Sequence, residues 1–573
     1  MLGGGRDMND RVALTNEAVF AELEGIIDKG FEKDLIPSKI RDISAWYLLT
    51  VAEDLARFSV AKDAVEFKDS LLIFFDQLKY SLKHSLLLVL ENSENSGVKL
   101  PEKVYPLFYR KSSALIMAGL EYERLHRIVL GCYENRVKVE LIDGVYEVKN
   151  LNENTAEYVA LEYLNHGKGS EVDMFSVFVY LMQDENKDND VVKSICRNTR
   201  IKKRKPVYEY TPASIKMLLK YLPQRDEIIP RDFKFPWGDG FETLCLINAL
   251  WVRCAFHVLS VHCKASEKNI KGGMESSILL KINKKQLIRD IDIVASVGDD
   301  KIEKFVDSLT YGFGVKTPDP ALQPIYSTGS GALLIPSILL MTSNCQRNAL
   351  SLSARLDKKL FDRSSRFFEI KMVEHISEKV SHLGRCFQNR HYSANGDKEE
   401  VDLVVLDSEE KFCLIIEMRW MIQPGDYREL VKRQKVCDEK VVQVERKKRF
   451  FNRNKVEVMG SLVANETRFN DYRFEAIVLV MNYGGKQSIV SEIPVVNSDI
   501  FEKLINNENK LAEVYETCRS LSWLPKEGED FEYQTESFEV GGETIRSPAF
   551  TMNINADEYA SRLRQPTVNR VDA

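Results

Sequence analysis

Two apolar runs, Glu400–Leu406 and Phe412–Met418, flank the polar turn Ser408-Glu409-Glu410-Lys411 and limit the fold more than any other feature of the chain. Each has strand length, and apolar residues occupy both parities, as in Val401, Leu403, Val404, Val405 and Leu406. A strand apolar on both faces belongs inside a sheet that helices cover on both sides. Each run also carries an acid near one end, Asp402 and Glu417. Alternate residues of a strand share a face, so Glu417 and Arg419 are expected to point the same way, and a returning hairpin can bring Asp402 beside them. Two carboxylates and a cation converging in this way suit a hard Mg²⁺ or Mn²⁺ ion and a phosphodiester: oxygen ligands hold the metal and a positive side chain stabilises charge growing on the phosphate.

The pattern around these runs predicts a chain of several domains. At roughly 150 residues per domain, 573 residues make about three to four. Thr15 to His126 shows apolar residues at helical spacing, and Val137–Val148 alternates around Asp143-Gly144, a pair suited to a tight hairpin turn. Asn152–Leu181 reads as helical and Gln183–Asp190 as a charged loop, and Arg197–Lys205 (RNTRIKKRK) reads as a solvated linker, with a phosphate or partner contact as the alternative. Thr211–Arg355 is again mainly helical. Beyond it come a helix over Leu360–Leu383, a strand over Arg385–Tyr392, the two central strands, a helix over Asp426–Phe450, a strand over Phe474–Met481 and a helix over Ser498–Leu521. The expected architecture is multidomain, a mainly α-helical N-terminal region followed by an α/β domain. Its boundaries fall at 1–205, 206–355, 356–525 and a polar, loose tail over 526–573.

The order of the chemical groups carries a resemblance. An acid-bearing helix, in which Glu369 and Glu374 compete for the role, precedes Asp402, then Glu417-Met418-Arg419, then a helix with Lys440-Val441-Val442-Gln443-Val444. Over Asp362–Asn506, about a quarter of the chain, this resembles the PD-(D/E)XK nuclease superfamily, the restriction-endonuclease-like fold. The resemblance implies Mg²⁺- or Mn²⁺-dependent hydrolysis of DNA or RNA. In it Asp402 and Glu417 hold the metal, Glu374 or Glu369 adds a ligand or orients water, Arg419 holds the scissile phosphate and Gln443 positions the site from its helix. Arg419 stands where the family has Lys, and a guanidinium clamps a phosphate but does not serve as a base. Either a lysine of the next helix, Lys432, Lys435 or Lys440, takes that role, or the site has decayed and the domain is a nucleic-acid- or protein-binding scaffold.

Next to this constellation, Lys440–Lys455 holds Lys440, Arg446, Lys447, Lys448, Arg449, Arg453 and Lys455 against the single Glu445, a net +6 in a chain whose total is −6. Cations beside Phe450 and Phe451 suit a nucleic-acid backbone and exposed bases, the alternative being a solvated helix end. The acidic total excludes a wholly basic nucleic-acid coat. Ten cysteines without a C-x-x-C pair predict reduced core thiols, and Cys254, His257, His262 and Cys263 lie in an apolar helical run expected to be core rather than a zinc site. Gly484-Gly485-Lys486 is expected to be a turn, and Tyr326–Gly331 lacks the order of a nucleophile elbow. Charges interrupt the N-terminal stretch where a secretory signal needs its apolar core, and no membrane span is expected, so the cytoplasm is the predicted compartment. The helical region is expected to bind protein partners, with bacterial defence against foreign nucleic acid as the setting by analogy.

Overall fold

The computed structural model describes residues 16–563, apart from 32, 64–67, 95–96, 152–154, 167–177, 184–188, 203–204, 222–227, 268–273, 464–468 and 486–491. The chain is a mixed α/β, multidomain protein that divides into two compact units. The first comprises Met1–Val129, Gly169–Asp362 and Glu539–Thr544, and the second Leu130–Lys168, Arg363–Phe538 and Ile545–Ala573. The expected boundaries at 205 and 355 are therefore replaced: both helical stretches share one unit, and the hairpin with its following helix belongs to the other.

In the first unit the helix Gly240–Glu267 is the central element, with Leu250, Trp251, Cys254, Phe256 and His257 all buried. It is long and apolar enough to cross a membrane by length and composition, a property not expected from the sequence, and most of it is buried inside the protein. The arginine and histidine buried on this helix are matched. Arg253 Nε donates to Asp290 at 2.6 Å, and its Nη1 donates to Tyr208 Oη at 3.2 Å. His257 Nε2 lies 2.9 Å from the carbonyl of Ile278, which can only accept, so Nε2 carries the proton and Nδ1 accepts from the Tyr208 hydroxyl at 2.8 Å. The basic run at Arg197 is not a linker. It enters a hairpin formed by the strands Thr199–Lys202 and Lys205–Tyr208.

The second unit is built on two sheets. Strands β1 (Val137–Ile142) and β2 (Val145–Asn150) form the expected hairpin, with Asp143 at φ 50° and Gly144 at φ 80°, as a two-residue turn of this kind requires. Helix α1 (Thr155–His166) follows. Helix α2 (Lys358–Val380) leads into β3 (Arg385–Ala394), β4 (Asp397–Asp407) and β5 (Phe412–Trp420). Next come α3 (Tyr427–Arg453), α4 (Lys455–Leu462), β6 (Arg473–Met481) and β7 (Val495–Asn497). Helices α5 (Ser498–Ile505) and α6 (Leu511–Ser520), strands β8 (Phe531–Val540) and β9 (Glu543–Met552), and α7 (Ala556–Leu563) complete it. The five-stranded sheet runs β3-β4-β5-β6-β7, antiparallel across its first two junctions and parallel across the last two. A four-stranded sheet runs β1-β2-β9-β8.

Period-two alternation sorts the central strands onto two cores. Leu403, Val405, Leu414, Ile416, Ile477 and Leu479 face one layer, which includes Leu161 of α1 and Met372 and Ile376 of α2. Val404, Leu406, Cys413, Ile415, Val478 and Val480 face the other, with Cys437, Val441, Val444 and Phe451 of α3. Both faces are covered, as the apolar runs require. The single helix expected over Ser498–Leu521 breaks into α5 and α6 across the polar Asn506–Lys510. Within the tail expected over 526–573, β8, β9 and α7 form, with Tyr559 and Leu563 in the core, and residues 564–573 lie outside the described residues.

Candidate functional site

The register of the β4–β5 hairpin ends at Leu403 opposite Ile416, which leaves Asp402 and Glu417 as the next positions along the same two strands. Their parity is that of Val404 and Ile415, so both lie on the face that α3 covers. Asp402 replaces the next ladder bond with its own side chain, Oδ2 accepting from the Met418 N–H at 2.8 Å. Glu417 is 1% exposed.

Helix α3 supplies the counter-charges. Its start is fixed by Asp426, which accepts from the Glu429 N–H at 2.8 Å, while Glu429 accepts from the Gly425 N–H at 2.9 Å. Its buried stripe runs Cys437, Val441, Val444, Lys447 and Phe451, at helical spacing. Lys447, 7% exposed, donates from Nζ to Glu417 Oε1, and Lys440, two turns earlier, donates to Oε2 at 3.1 Å. Asp402 feels this cluster. Its carboxyl lies above the ordinary value, first because burial disfavours the anion and second because Glu417 repels it, while the Met418 N–H, Lys440 and Lys447 pull the other way.

The remaining expected site residues fall outside this cluster. Arg419, at the strand end, donates from Nη1 to Glu369 at 2.7 Å and does not bond Glu417. Of the two competing acids of α2, Glu369 is thus the one brought to the strand ends. Glu374 is exposed on its helix, as is Gln443 on α3. Lys435 pairs with Glu134 at 3.0 Å, so of the lysines expected as replacements Lys440 alone joins the carboxylates, and Lys447 is not among those expected. The sequence does hold a signal for Lys447: it occupies an apolar position of the α3 stripe, where a lysine needs a buried partner.

Part of the basic run is paired with acids of the sheet. Arg446 makes a two-pronged bond to Glu399 at 2.7 and 2.9 Å, Lys448 reaches Glu475 at 2.5 Å, and Lys455 donates to the Tyr472 carbonyl at 3.1 Å. Arg449 lies 3.8 Å from Glu445, and Arg453 is exposed. Of the cations expected over Lys440–Lys455, Lys447 is buried and Lys440, Arg446 and Lys448 are paired with strand acids, while Arg449, Arg453 and Lys455 are not.

A metal ion would find two carboxylates here, Asp402 and Glu417. Among the described residues, no group of three or more His, Cys, Asp or Glu side chains is placed to share an ion. Comparisons with protein-family models, curated proteins and solved structures give no match.

Proposed function

We propose that the second unit is a divalent-metal-dependent phosphodiesterase of the restriction-endonuclease-like kind, acting on DNA or RNA in the cytoplasm, with the helical unit serving to engage protein partners. The observation that supports it is the joint placement of Asp402 and Glu417 on one face at the same end of neighbouring strands, with Lys440 on Glu417. The donor set fits a hard cation: it is all oxygen, and the mutual repulsion of the carboxylates is the strain that a divalent charge relieves. Asp402 and Glu417 would hold Mg²⁺ or Mn²⁺, which when bound polarises a phosphoryl oxygen. Lys440, more accessible than Lys447, is the cation suited to meet negative charge growing on the phosphate. Lys447 holds Glu417 in place from the buried side. Arg419, paired with Glu369 at the strand end and half exposed, is suited to hold the phosphate.

A second reading rests on the same cluster. Both Glu417 oxygens are occupied by lysines, which suffices for a structural ion pair in a scaffold that has no chemistry. Plasmid nicking by purified protein in Mg²⁺ or Mn²⁺, compared with Glu417→Ala and with Asp402→Asn, separates the two. Nicking lost in both folded variants supports the enzyme. Absence of nicking, with no Mg²⁺ binding by calorimetry, supports the scaffold.

A further inference from the structure

The hairpin Thr199–Lys202/Lys205–Tyr208 carries the cations that the strand acids do not claim. Its register sets Arg200 opposite Val207 and Lys202 opposite Lys205, and residues directly opposite share a face. That face is the outer one: Arg200, Lys202 and Val207 are exposed and Lys205 half-buried. The other face is anchored. Thr199 is buried and donates to the Ile195 carbonyl at 2.8 Å, and Tyr208 is bonded to both His257 and Arg253.

Two features set this face apart from the run on α3. Among the described residues, neither Arg200, Lys202, Lys205 nor the nearby Lys281 forms an ion pair. Like charges directly opposite on a ribbon are destabilising, and here Lys202 faces Lys205 without an acid to relieve them. The strand Leu280–Asn283 adds Lys281 to the same field. Its ammonium is pushed below its ordinary value, first by burial and then by repulsion from Lys205 and Lys99. Cations held together at a cost, on a rigid mount, make a site for an anion supplied from outside.

We propose that this ribbon is a duplex-DNA contact, with Arg200, Lys202 and Lys205 binding backbone phosphates. Arg200 and Lys202, successive same-face residues of one strand, lie about 6.8 Å apart, and Lys205 stands across the ribbon from Lys202, so the cations form a strip along and across the ribbon that suits a polyanion. A two-stranded ribbon fits the major groove of B-form DNA, whereas the deep, narrow major groove of A-form RNA does not admit one. The proposal rests on the nucleic-acid reading above for its ligand and not on hydrolysis, so binding is measured in EDTA.

The test is fluorescence anisotropy of the full chain with a short labelled DNA duplex over a salt series, comparing wild type with R200Q/K202Q/K205Q. With the three phosphate-binding cations removed, affinity at low salt should fall at least about tenfold, and the slope of log K against log salt should lessen by about 2 to 3. Thermal unfolding of the triple variant should be unchanged or higher, which separates weakened DNA binding from a damaged fold. Unchanged affinity and slope, or binding to an RNA duplex or to phosphatidylserine vesicles in preference to DNA, would overturn the proposal. DNA binding by a wild type that nicks nothing, weakened as stated in the triple variant, would uphold it while the hydrolytic reading fails.

Discussion

Lys447 and Glu417 are bonded to each other and both are buried, a lysine from a helix stripe and a glutamate from a central strand. Lys447 is tolerable there because Glu417 pairs with it, while Glu417 also holds Lys440 at 3.1 Å on its other oxygen. Removing one partner of a buried pair typically costs about 3–5 kcal/mol, since a bare charge remains, whereas apolar replacement of both is often neutral. Lys447→Met should therefore lower the stability of the chain by that amount in urea unfolding, and Lys447→Met/Glu417→Leu should recover most of it. An additive double variant would show that the two side chains do not depend on each other.

Asp402 behaves differently, because its ionisation works against folding. With the folded carboxyl above its unfolded value, the native state binds more protons between those two values, and stability falls as pH rises through that window. Asp402→Asn should remove this decline and melt higher than wild type at pH 7. If it also ceases to bind Mg²⁺ by calorimetry, the carboxylate is retained at the expense of stability, which is the pattern of a functional group.

The roles of the cations can be separated by activity. Lys440→Met should lower nicking on the order of 10²-fold through loss of charge stabilisation, with little change in stability. Arg419→Lys should leave nicking nearly unchanged, because a lysine there still supplies a positive charge beside Glu369. Strong loss in Arg419→Lys with none in Lys440→Met would reverse the assignment.

Much of this site is legible in the chain. The two acid-ended runs, their adjacency and the shared face of Asp402 and Glu417 follow from period-two alternation and a four-residue polar turn. What the sequence conceals depends on long side chains and distant partners. Arg419 shares the parity of Glu417, yet its reach carries the guanidinium to Glu369. The run at Lys440–Lys455 looks like an unbroken cationic surface, because Glu399 and Glu475, which pair with Arg446 and Lys448, come from distant strands. The terminal hairpin is hidden for another reason: residues 532–537 of β8 are exposed at both parities, so no apolar stripe marks a strand that the backbone ladder holds.

The helical unit offers a test by pH alone. Glu53 is fully buried and accepts the N–H groups of Ile338 and Leu339 at 2.7 and 3.3 Å, and burial pushes its carboxyl up to about 8 against those bonds. Between its unfolded value and about 8 the native state holds an extra proton, so stability should fall as pH rises across that range and level off above it. Urea midpoints at about pH 5 and about pH 8.5 should differ less in Glu53→Gln than in wild type. An equal difference in the two proteins would place the titration elsewhere.

The second unit draws Leu130–Lys168 and Arg363–Phe538 into one core, with Leu161 and Leu164 of α1 packed among residues whose codons come much later. The intervening 194 residues, Gly169 to Asp362, must leave the ribosome before that core has its sheet. At roughly 5–20 residues per second this is a wait of about 10–40 s. During it the apolar side of α1 has no native surface to cover it, which makes this early segment a natural client for a chaperone. A gene cut at residue 356 would yield a sheet deprived of one of its own helices.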